Sequence, residues 1–382
     1  MRLLIGADIV PTSANERLFE KGDVSELLGE DLERLLSEAD YIIMNLETPV
    51  TDDITPIYKA GENLVARKAT FRGLKEINPY FFGLANNHIM DQGEQGLYST
   101  IDLLEANNIG WCGAGKSLTE TKKTYLKTVE GVRIGIYACA EHEYSIADYN
   151  RPGANPYDPL YSFEHVKELR EECDLCIVLY HGGRELYRYP SPNLQRVFRR
   201  FAEVGADIVV AQHTHCIGCT EEYNNSKLIY GQGDFLFDHS MDDKTRTSLV
   251  IQIDTDGSNH MVSYIPIKRI NGVVRVADNK ENKEILKGFN DRSEQIKEPG
   301  VIRKRFNDLS SEQKHIYLTG ILGRLGRVLP IRLINRISGY TLSDLNYRGK
   351  TMLPLDDFIR CETHIEILKA ICDAEVRKHE TE

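Results

Sequence analysis

Short apolar runs alternate with amphipathic helical patterns from Met1 to about residue 270. The apolar runs, which predict β-strands, are Leu3–Ile5, Tyr41–Met44, Tyr80–Leu84, Val132–Ala138, Leu175–Leu179, Ile208–Val210 and Lys227–Tyr230. Apolar residues at helical spacing predict helices over Asp31–Ala39, Gly93–Asn107, Phe163–Glu172 and Asn193–Val204. This alternation is typical of an α/β domain, in which strands alternate with helical crossovers.

The pattern changes twice toward the C-terminus. Thr247–Ile265 alternates apolar and polar residues around Asp256-Gly257, which predicts an antiparallel hairpin, and Pro266 is expected to end the second strand or confine it to an edge. After Lys280 the strand signals stop and Lys/Glu-rich helical patterns follow. We therefore expect an α/β domain over 1–280 and a helical C-terminal region over 281–382.

Composition excludes several classes of protein. The 382 residues carry 47 Lys+Arg and 58 Asp+Glu, a net charge of −11, which argues against a general nucleic-acid binder. No run approaches the roughly 20 apolar residues of a membrane span, and the N-terminal stretch lacks the pattern of a signal peptide. With eight cysteines most simply read as reduced thiols, these features predict a cytoplasmic protein.

Polar clusters directly follow five of the predicted strands, where α/β folds place their ligand sites. They are Gly6-Ala7-Asp8, Asn45-Leu46-Glu47, Ala85-Asn86-Asn87-His88 with Asp91, Tyr180-His181-Gly182-Gly183 and Gln212-His213-Thr214-His215. Carboxylate, amide and imidazole ligands suit Mn²⁺, Fe, Zn²⁺ or Mg²⁺. We expect these side chains to converge at one edge of a sheet, with His213 and His215 on the same side of an extended segment.

Two other sets of residues offer weaker signals. Cys173-x-x-Cys176 and Cys216-x-x-Cys219 have the spacing of a zinc-ribbon pair, but an apolar strand begins at Cys176, so buried free thiols are the favoured interpretation. Among the remaining histidines, His142 and His239 are the exceptions that could join a site, because both follow predicted strands.

The order Asp8, Glu47, Asn86-Asn87-His88-x-x-Asp91, His181-Gly182-Gly183, His213-x-His215 resembles the CapA family of capsule and poly-γ-glutamate synthesis proteins. The domain of that family is similar to the calcineurin-like metallophosphoesterases. Further matching elements are Gly113-Ala114-Gly115, the set Glu185, Tyr187, Pro190 and Gln195, and the segment Gly231–Phe237. The resemblance covers about residues 1–240 and implies a sandwich of two mixed sheets flanked by helices.

The resemblance also implies a role for each residue of the motifs. Asp8 would bind the first metal with His215, Glu47 would bridge, and Asn87, His181 and His213 would hold the second metal. His88 would act as general acid or stabilise charge at the leaving oxygen, and Asp91 would orient its imidazole.

This chain departs from the phosphoesterase pattern at four positions. Val10 stands where those enzymes have a His ligand, Glu47 replaces an Asp, Gln212 replaces a Gly, and Asp234 replaces the Asn common in the family. Val10 cannot bind a metal, so the sequence is compatible with one divalent ion or with two.

The substrate is not distinguished by sequence. Arg184, Glu185, Tyr187 and Gln195 are the predicted substrate-binding residues, and they suit an anionic polymer or a phosphorylated or sugar-bearing group. The resemblance implies a metal-dependent hydrolase that makes or trims a surface polymer, poly-γ-glutamate or capsular polysaccharide. The alternative is a non-catalytic scaffold subunit of a synthesis or export complex that keeps a vestigial metal site.

The segment Gln313–Ser343 holds five basic residues and no acidic one. These are Lys314, Arg324, Arg327, Arg332 and Arg336, interleaved with apolar positions. The favoured interpretation is a helical pair packed on the main domain, and the alternative is a peripheral contact with anionic lipid through 313–343.

Overall fold

The computed structural model describes residues 1–239, 242–321, 336–337, 352–361, 363–369 and 371–372. The chain divides into two compact units, Met1–Ile302 and Arg303–Glu382. The division predicted at residue 280 stays a prediction.

The strands of the described residues follow one another in chain order. They are β1 (Arg2–Ile9), β2 (Tyr41–Leu46), β3 (Phe81–Gly83), β4 (Gly110–Cys112), β5 (Ala114–Gly115), β6 (Tyr125–Val129), β7 (Val132–Ala140), β8 (Gly153–Ala154), β9 (Leu175–His181), β10 (Ile208–Gln212), β11 (Thr220–Tyr223), β12 (Ser226–Ile229), β13 (Asp234–Leu236), β14 (Thr247–Thr255), β15 (His260–Ile270) and β16 (Val273–Val276).

The helices of the described residues lie between these strands or after them and are given in chain order. They are α1 (Glu16–Lys21), α2 (Val24–Leu28), α3 (Glu30–Ser37), α4 (Phe71–Glu76), α5 (Gly93–Ala106), α6 (Leu118–Thr121), α7 (Ser162–Glu172), α8 (Pro192–Glu203), α9 (Asn279–Gln295), α10 (Val301–Ile321) and α11 (Leu353–Arg360). Short 3-10 helices cover Lys68–Thr70 and Asp243–Arg246.

Two mixed sheets form the first unit. The first has the order β16-β15-β14-β1-β2-β3-β4, with β13 also paired to β1, and the second has the order β11-β12-β10-β9-β7-β6. In the first sheet β1 to β4 are parallel and β14 to β16 antiparallel, and in the second the antiparallel strands β6 and β11 flank four parallel ones. The predicted α/β architecture of two mixed sheets with helices is confirmed.

Alternation along the central strands explains the layers. In β9 the side chains of Leu175, Ile177 and Leu179 join the main apolar core, which also holds Leu3 and Ile5 of β1. The intervening Cys176, Val178 and Tyr180 join a second core with residues of α7 and α8. The central strands of the second sheet are therefore buried on both faces, as is usual for parallel strands.

The helix predictions match α3, α5, α7 and α8 to within two residues at each end. At α8 the Ser191 hydroxyl accepts a hydrogen bond from Leu194 N, and Pro192 occupies the first turn, where its missing N–H costs nothing. The four helices therefore lie where the apolar spacing places them.

The prediction for Pro266 was wrong. β15 continues through Pro266 to Ile270 and lies between β14 and β16, not at an edge. Pro266 pairs with Leu249 on one side, and on the other its carbonyl accepts a hydrogen bond from Ala277 N, just beyond the end of β16. A proline is tolerated here because β16 pairing begins only at Ile267.

The described residues after 280 are helical, as predicted. Asp278 caps α9 through a reciprocal capping box with Glu281. Phe289 packs with Ile217 and Leu249, and Arg292 donates to the carbonyls of Ile217 and Gly218, so α9 is part of the first unit. Most of the basic segment predicted to pack or to contact lipid, 313–343, lies outside the described residues. No helix that the structure describes is both long and apolar enough to cross a bilayer.

Candidate metal centre

The carboxyl ends of strands from both sheets meet at one buried cluster. Asp8 lies in β1, Glu47 directly follows β2, and Asn87 lies in the loop after β3. From the second sheet, His181 ends β9, and His213 and His215 follow β10. These residues converge as predicted, but we expected one sheet edge, and the structure builds the centre from two sheets that face each other.

Two contacts join the sheets directly. His181 Nε2 lies 2.9 Å from Asn87 Oδ1, and the backbone N–H of His213 donates to Asp8 Oδ2 at 3.1 Å. The buried amide of Asn45 adds a third link, since its Nδ2 donates to Asp8 Oδ1 at 2.7 Å and lies 3.3 Å from His181 Nδ1. Residues separated by more than 200 positions in sequence are thereby held within hydrogen-bonding distance.

Glu47 is the most telling residue of the centre. Its side chain is 0% exposed, and within the described part of the chain neither carboxylate oxygen receives a hydrogen bond. His181 Nε2 lies 3.2 Å from Oε1. Burial, and then the charges of Asp8 and Asp234, raise the pKa of Glu47 well above its usual range. A buried carboxylate without donors is costly unless a cation neutralises it, so this residue fits a metal ligand.

The electrostatics of Asp8 and the two deepest imidazoles point the same way. Burial raises the pKa of Asp8 to about 6, although His215 opposes the shift. Burial and the charge of His215 lower the pKa of His213 to about 3, and burial and His213 lower that of His181 well below its usual range. Neutral imidazoles are the form that binds a metal.

The backbone at His213 and His215 differs from the extended segment that we predicted. Both residues have left-handed backbone angles, with φ of 85° and 51°. Their rings lie 5.8 Å apart between centroids, and the His213 ring lies 4.8 Å from that of His181. The chain thus turns sharply after β10 to aim both rings at the cluster, at a cost of about 1–3 kcal/mol for each strained residue.

Four groups of donor atoms, each within 4.8 Å of one another, could hold a cation. They are Asp8 with Glu47 and His215, Glu47 with His181 and His213, Glu185 with His213 and His215, and His215 with Asp234 and His239. The first two contain predicted ligands and share Glu47, as a bridging role requires. The others bring in Glu185, predicted to bind substrate, Asp234, which stands where the family commonly has Asn, and His239, one of the two histidines predicted as candidates to join a site. The donor set of carboxylate, amide and imidazole fits a divalent cation.

The four paired cysteines take no part in these groups within the described residues. Cys173, Cys176, Cys216 and Cys219 are buried free thiols, and three of them belong to the second apolar core. The favoured interpretation of these thiols agrees with the structure.

His88 and Asp91 lie beside the cluster with a partner that sequence reasoning missed. His88 Nδ1 lies 2.6 Å from Asp91 Oδ2, which also accepts a hydrogen bond from Leu64 N at 2.6 Å. The buried ammonium of Lys59 forms an ion pair with Asp91 and lies 3.3 Å from His88 Nδ1. Lys59 comes from the irregular segment after β2, where no motif marks it.

Asn87 is oriented by a residue that also escaped the sequence analysis. Its Nδ2 donates to Glu143 Oε2 at 3.1 Å, which leaves Oδ1 to face His181. Glu143 Oε1 also lies 3.6 Å from His213 Nε2. The amide oxygen of Asn87 is thereby turned toward the centre, as a ligand would be.

The predicted substrate-binding residues occupy different surroundings. Arg184 is exposed and pairs with Glu185 at 3.7 Å, and a Glu185 oxygen lies in one of the donor groups. The ring of Tyr187 lies 5.9 Å from that of Tyr189. Gln195 lies on α8 and donates to Glu221 at 3.1 Å. Roles in substrate binding stay predictions for all four.

Comparison with known proteins points to one family. A profile of the family described as bacterial capsule synthesis protein PGA_cap matches residues 2–239. The PGA biosynthesis protein CapA of Bacillus subtilis is 31% identical over 261 residues, which cover 65% of this chain and 67% of that protein. The capsule biosynthesis protein CapA of Bacillus anthracis is 28% identical over 242 residues, 61% of this chain and 59% of that protein. A solved phosphatase from Mycoplasma pneumoniae aligns with a TM-score of 0.44 and 15% identity over 70% of this chain and 93% of its own.

Proposed function

The chain belongs to the bacterial capsule synthesis protein family, and on that premise we propose that it is a metal-dependent hydrolase. Its substrate would be an anionic polymer, or a phosphorylated or sugar-bearing group, in the synthesis or trimming of a surface polymer such as poly-γ-glutamate or capsular polysaccharide. The observation that carries the proposal is Glu47, a fully buried carboxylate without a hydrogen-bond donor amid imidazoles from the opposite sheet. A scaffold has no need to keep such a costly group.

The residues that would hold the cation come from the two facing sheet edges. They are Asp8, Glu47, Asn87, His181, His213 and His215. A divalent cation at these residues supplies Lewis acidity toward a substrate oxygen and activates water for attack at neutral pH. Asn45 and Glu143 hold Asp8 and Asn87 in their orientations.

His88 would deliver a proton to the leaving oxygen. Asp91 takes up its Nδ1, so Nε2 is the nitrogen left to face the substrate. Lys59 neutralises Asp91 and keeps that carboxylate in place beneath the ring. The buried ion pair of Lys59 and Asp91 therefore fixes the orientation of the ring, and Nε2 is the nitrogen that would donate the proton.

Arg184 at the rim of the centre would offer its guanidinium to the substrate. Arg184 is exposed beside Glu185, whose carboxylate lies near His213 and His215. An exposed guanidinium can bind a carboxylate or a phosphate through two parallel hydrogen bonds. This supports an anionic substrate but does not separate a polymer carboxylate from a phosphate.

The test compares metal content and turnover in one preparation of the full chain. The protein is loaded with Mn²⁺, and poly-γ-glutamate shortening is followed by size exclusion beside phosphoester and glycoside test substrates. We expect bound metal and turnover of one substrate class in the wild type, and a lower metal content with loss of turnover in Glu47→Gln. Glu171→Gln, at an exposed position of α7, is the matched control. Bound metal without turnover of any substrate would favour the scaffold instead.

A further inference from the structure

Asp234 lies directly beside Asp8 in the first sheet. The short strand β13 runs parallel to β1, and Asp8 is paired with Asp234 in the register. Both carboxylates are buried, at 0% and 3% exposure. Adjacent parallel strands lie about 4.8 Å apart, so this pairing brings two negative charges close together inside the protein.

Two imidazoles face this pair of carboxylates. His215 Nδ1 lies 2.8 Å from Asp234 Oδ1 and 3.8 Å from Asp8 Oδ2. His239 Nε2 lies 3.2 Å from Asp234 Oδ2, and the rings of His215 and His239 are 4.5 Å apart between centroids. The ring of Phe237 packs on both imidazoles, at 5.6 Å and 4.1 Å, and covers this end of the centre.

With its imidazoles neutral, as metal ligands must be, the centre has enough negative charge to hold more than one divalent cation. Asp8, Glu47 and Asp234 are three buried carboxylates, so one divalent cation leaves one negative charge and two cations leave one positive charge. A residual positive charge favours an anionic substrate, and a residual negative charge repels it. Val10, which is buried and carries no donor atom, adds nothing at this end.

We propose that Asp234 and His239 supply ligands in place of the one that Val10 lacks, and so complete the cation site of Asp8 and His215, next to the site formed by Glu47, His181 and His213. The inference rests on the proposed function, because both use Asp8 and His215. The ligand set at this end is two carboxylates and two imidazoles, drawn from β1, β13, the turn after β10 and the segment after β13. Hard and borderline divalent cations such as Mn²⁺, Co²⁺ and Zn²⁺ prefer ligands of these types.

The competing explanation is that Asp234 only orients His215 through the 2.8 Å hydrogen bond. An asparagine would keep an oxygen that accepts this hydrogen bond but would lose the charge. His239 would then have no part in metal binding. Asp234→Asn and His239→Gln therefore separate ligation from orientation.

The experiment titrates the metal-free full chain with Co²⁺ and follows the heat of binding and the visible absorption of bound Co²⁺. We expect two Co²⁺ per wild-type chain. Asp234→Asn and His239→Gln should each weaken one of the two binding events at least about tenfold and leave the other in place, whereas His181→Ala weakens the other event. His260→Gln, a histidine outside the cluster that contacts Thr255, is the control and should bind as the wild type does.

Several outcomes overturn the inference and are distinguishable from failure of the proposed function. If both variants keep two binding events at wild-type affinity, Asp234 only orients His215, neither Asp234 nor His239 is a ligand, and the inference is overturned. If the wild type binds one Co²⁺ that is lost in His181→Ala but not in Asp234→Asn, the inference fails and the proposed function stands. If the wild type binds none, the proposed function fails as well. Circular dichroism checks the fold of each variant, and His239→Gln, at a partly exposed position, keeps the test available should Asp234→Asn misfold.

Discussion

Two buried carboxylates of the first unit have opposite surroundings. Asp91 is surrounded by donors, because Lys59, His88 and the Leu64 amide all reach it. Glu47 is equally buried, yet within the described residues it has no hydrogen-bond donor and faces two other carboxylates. A carboxylate that the protein itself neutralises serves to position a neighbour, whereas one that the protein leaves without donors is suited to an added cation.

The largest effect should separate the two regions by their roles. In His88→Ala we expect turnover to fall about 10²–10⁴-fold while bound metal stays. The reason is that Asp91 orients the His88 ring as a proton donor and His88 is not a predicted metal ligand. In His181→Ala we expect the cation held by Glu47, His181 and His213 to be lost. Metal analysis and kinetics on the same samples check this. Equal metal loss in both variants would show that the role of His88 is wrongly assigned.

Breaking the buried ion pair of Lys59 and Asp91 beside His88 should destabilise the fold more than breaking an exposed ion pair. Lys59→Met leaves Asp91 as a buried charge without its cation, and we expect the free energy of unfolding to fall by about 3–5 kcal/mol. Lys287→Met, which breaks an exposed pair with Asp291, should change it by less than about 1 kcal/mol. Denaturant unfolding of both variants checks the contrast. An equally small effect at Lys59 would contradict the claim that this pair is shielded from water.

Replacing a carboxylate by its amide should change the free energy of unfolding in opposite directions in the two regions. In the metal-free protein we expect Glu47→Gln to raise the free energy of unfolding by about 1–3 kcal/mol, because it removes a buried acid without donors. Asp91→Asn should lower it, because Lys59 then loses its counter-charge. Melting in the presence of a chelator gives both values. A loss of stability in both variants would mean that Glu47 has protein partners of its own.

A dependence on pH reports on the ligands at the Asp8 end. Burial alone would lower the pKa of His215, but the contact with Asp234 and the charge of Asp8 raise it to about 9, and burial raises that of Asp8 to about 6. Protons then compete with the cation, so affinity should fall about tenfold per pH unit below pH 9 and more steeply below about 6. Co²⁺ titrations across this range check the slopes.

The same shift in Asp8 affects the stability of the metal-free protein. The folded state holds the Asp8 proton more tightly than the unfolded chain does, so the stability from this proton is present at acid pH. It is lost as the pH rises through about 6. Stabilisation by added Co²⁺ should therefore grow most steeply as the pH rises from about 4 to about 6, the range between the usual and the folded pKa of Asp8. A metal effect that is independent of pH would contradict the buried, protonated state of Asp8.

Local pattern determined which residues reach the centre. Alternating strands and helices place the ends of parallel strands at one edge, so Asp8, Glu47, Asn87 and His181 could be assigned from their positions after apolar runs. The spacing of His88 and Asp91 within one turn likewise predicted their contact. These features depend on neighbours in sequence, which periodicity reports directly.

Only the tertiary structure decided what faces what. No local signal says that the two sheets bring their edges together, that β13 sets Asp234 beside Asp8, or that Lys59 folds under His88 from an irregular segment. The left-handed backbone at His213 and His215 likewise follows from no local pattern, because residues other than glycine adopt it only rarely. Such contacts depend on burial and on pairing between residues far apart in the sequence. A pattern of a few neighbouring residues carries no information about either.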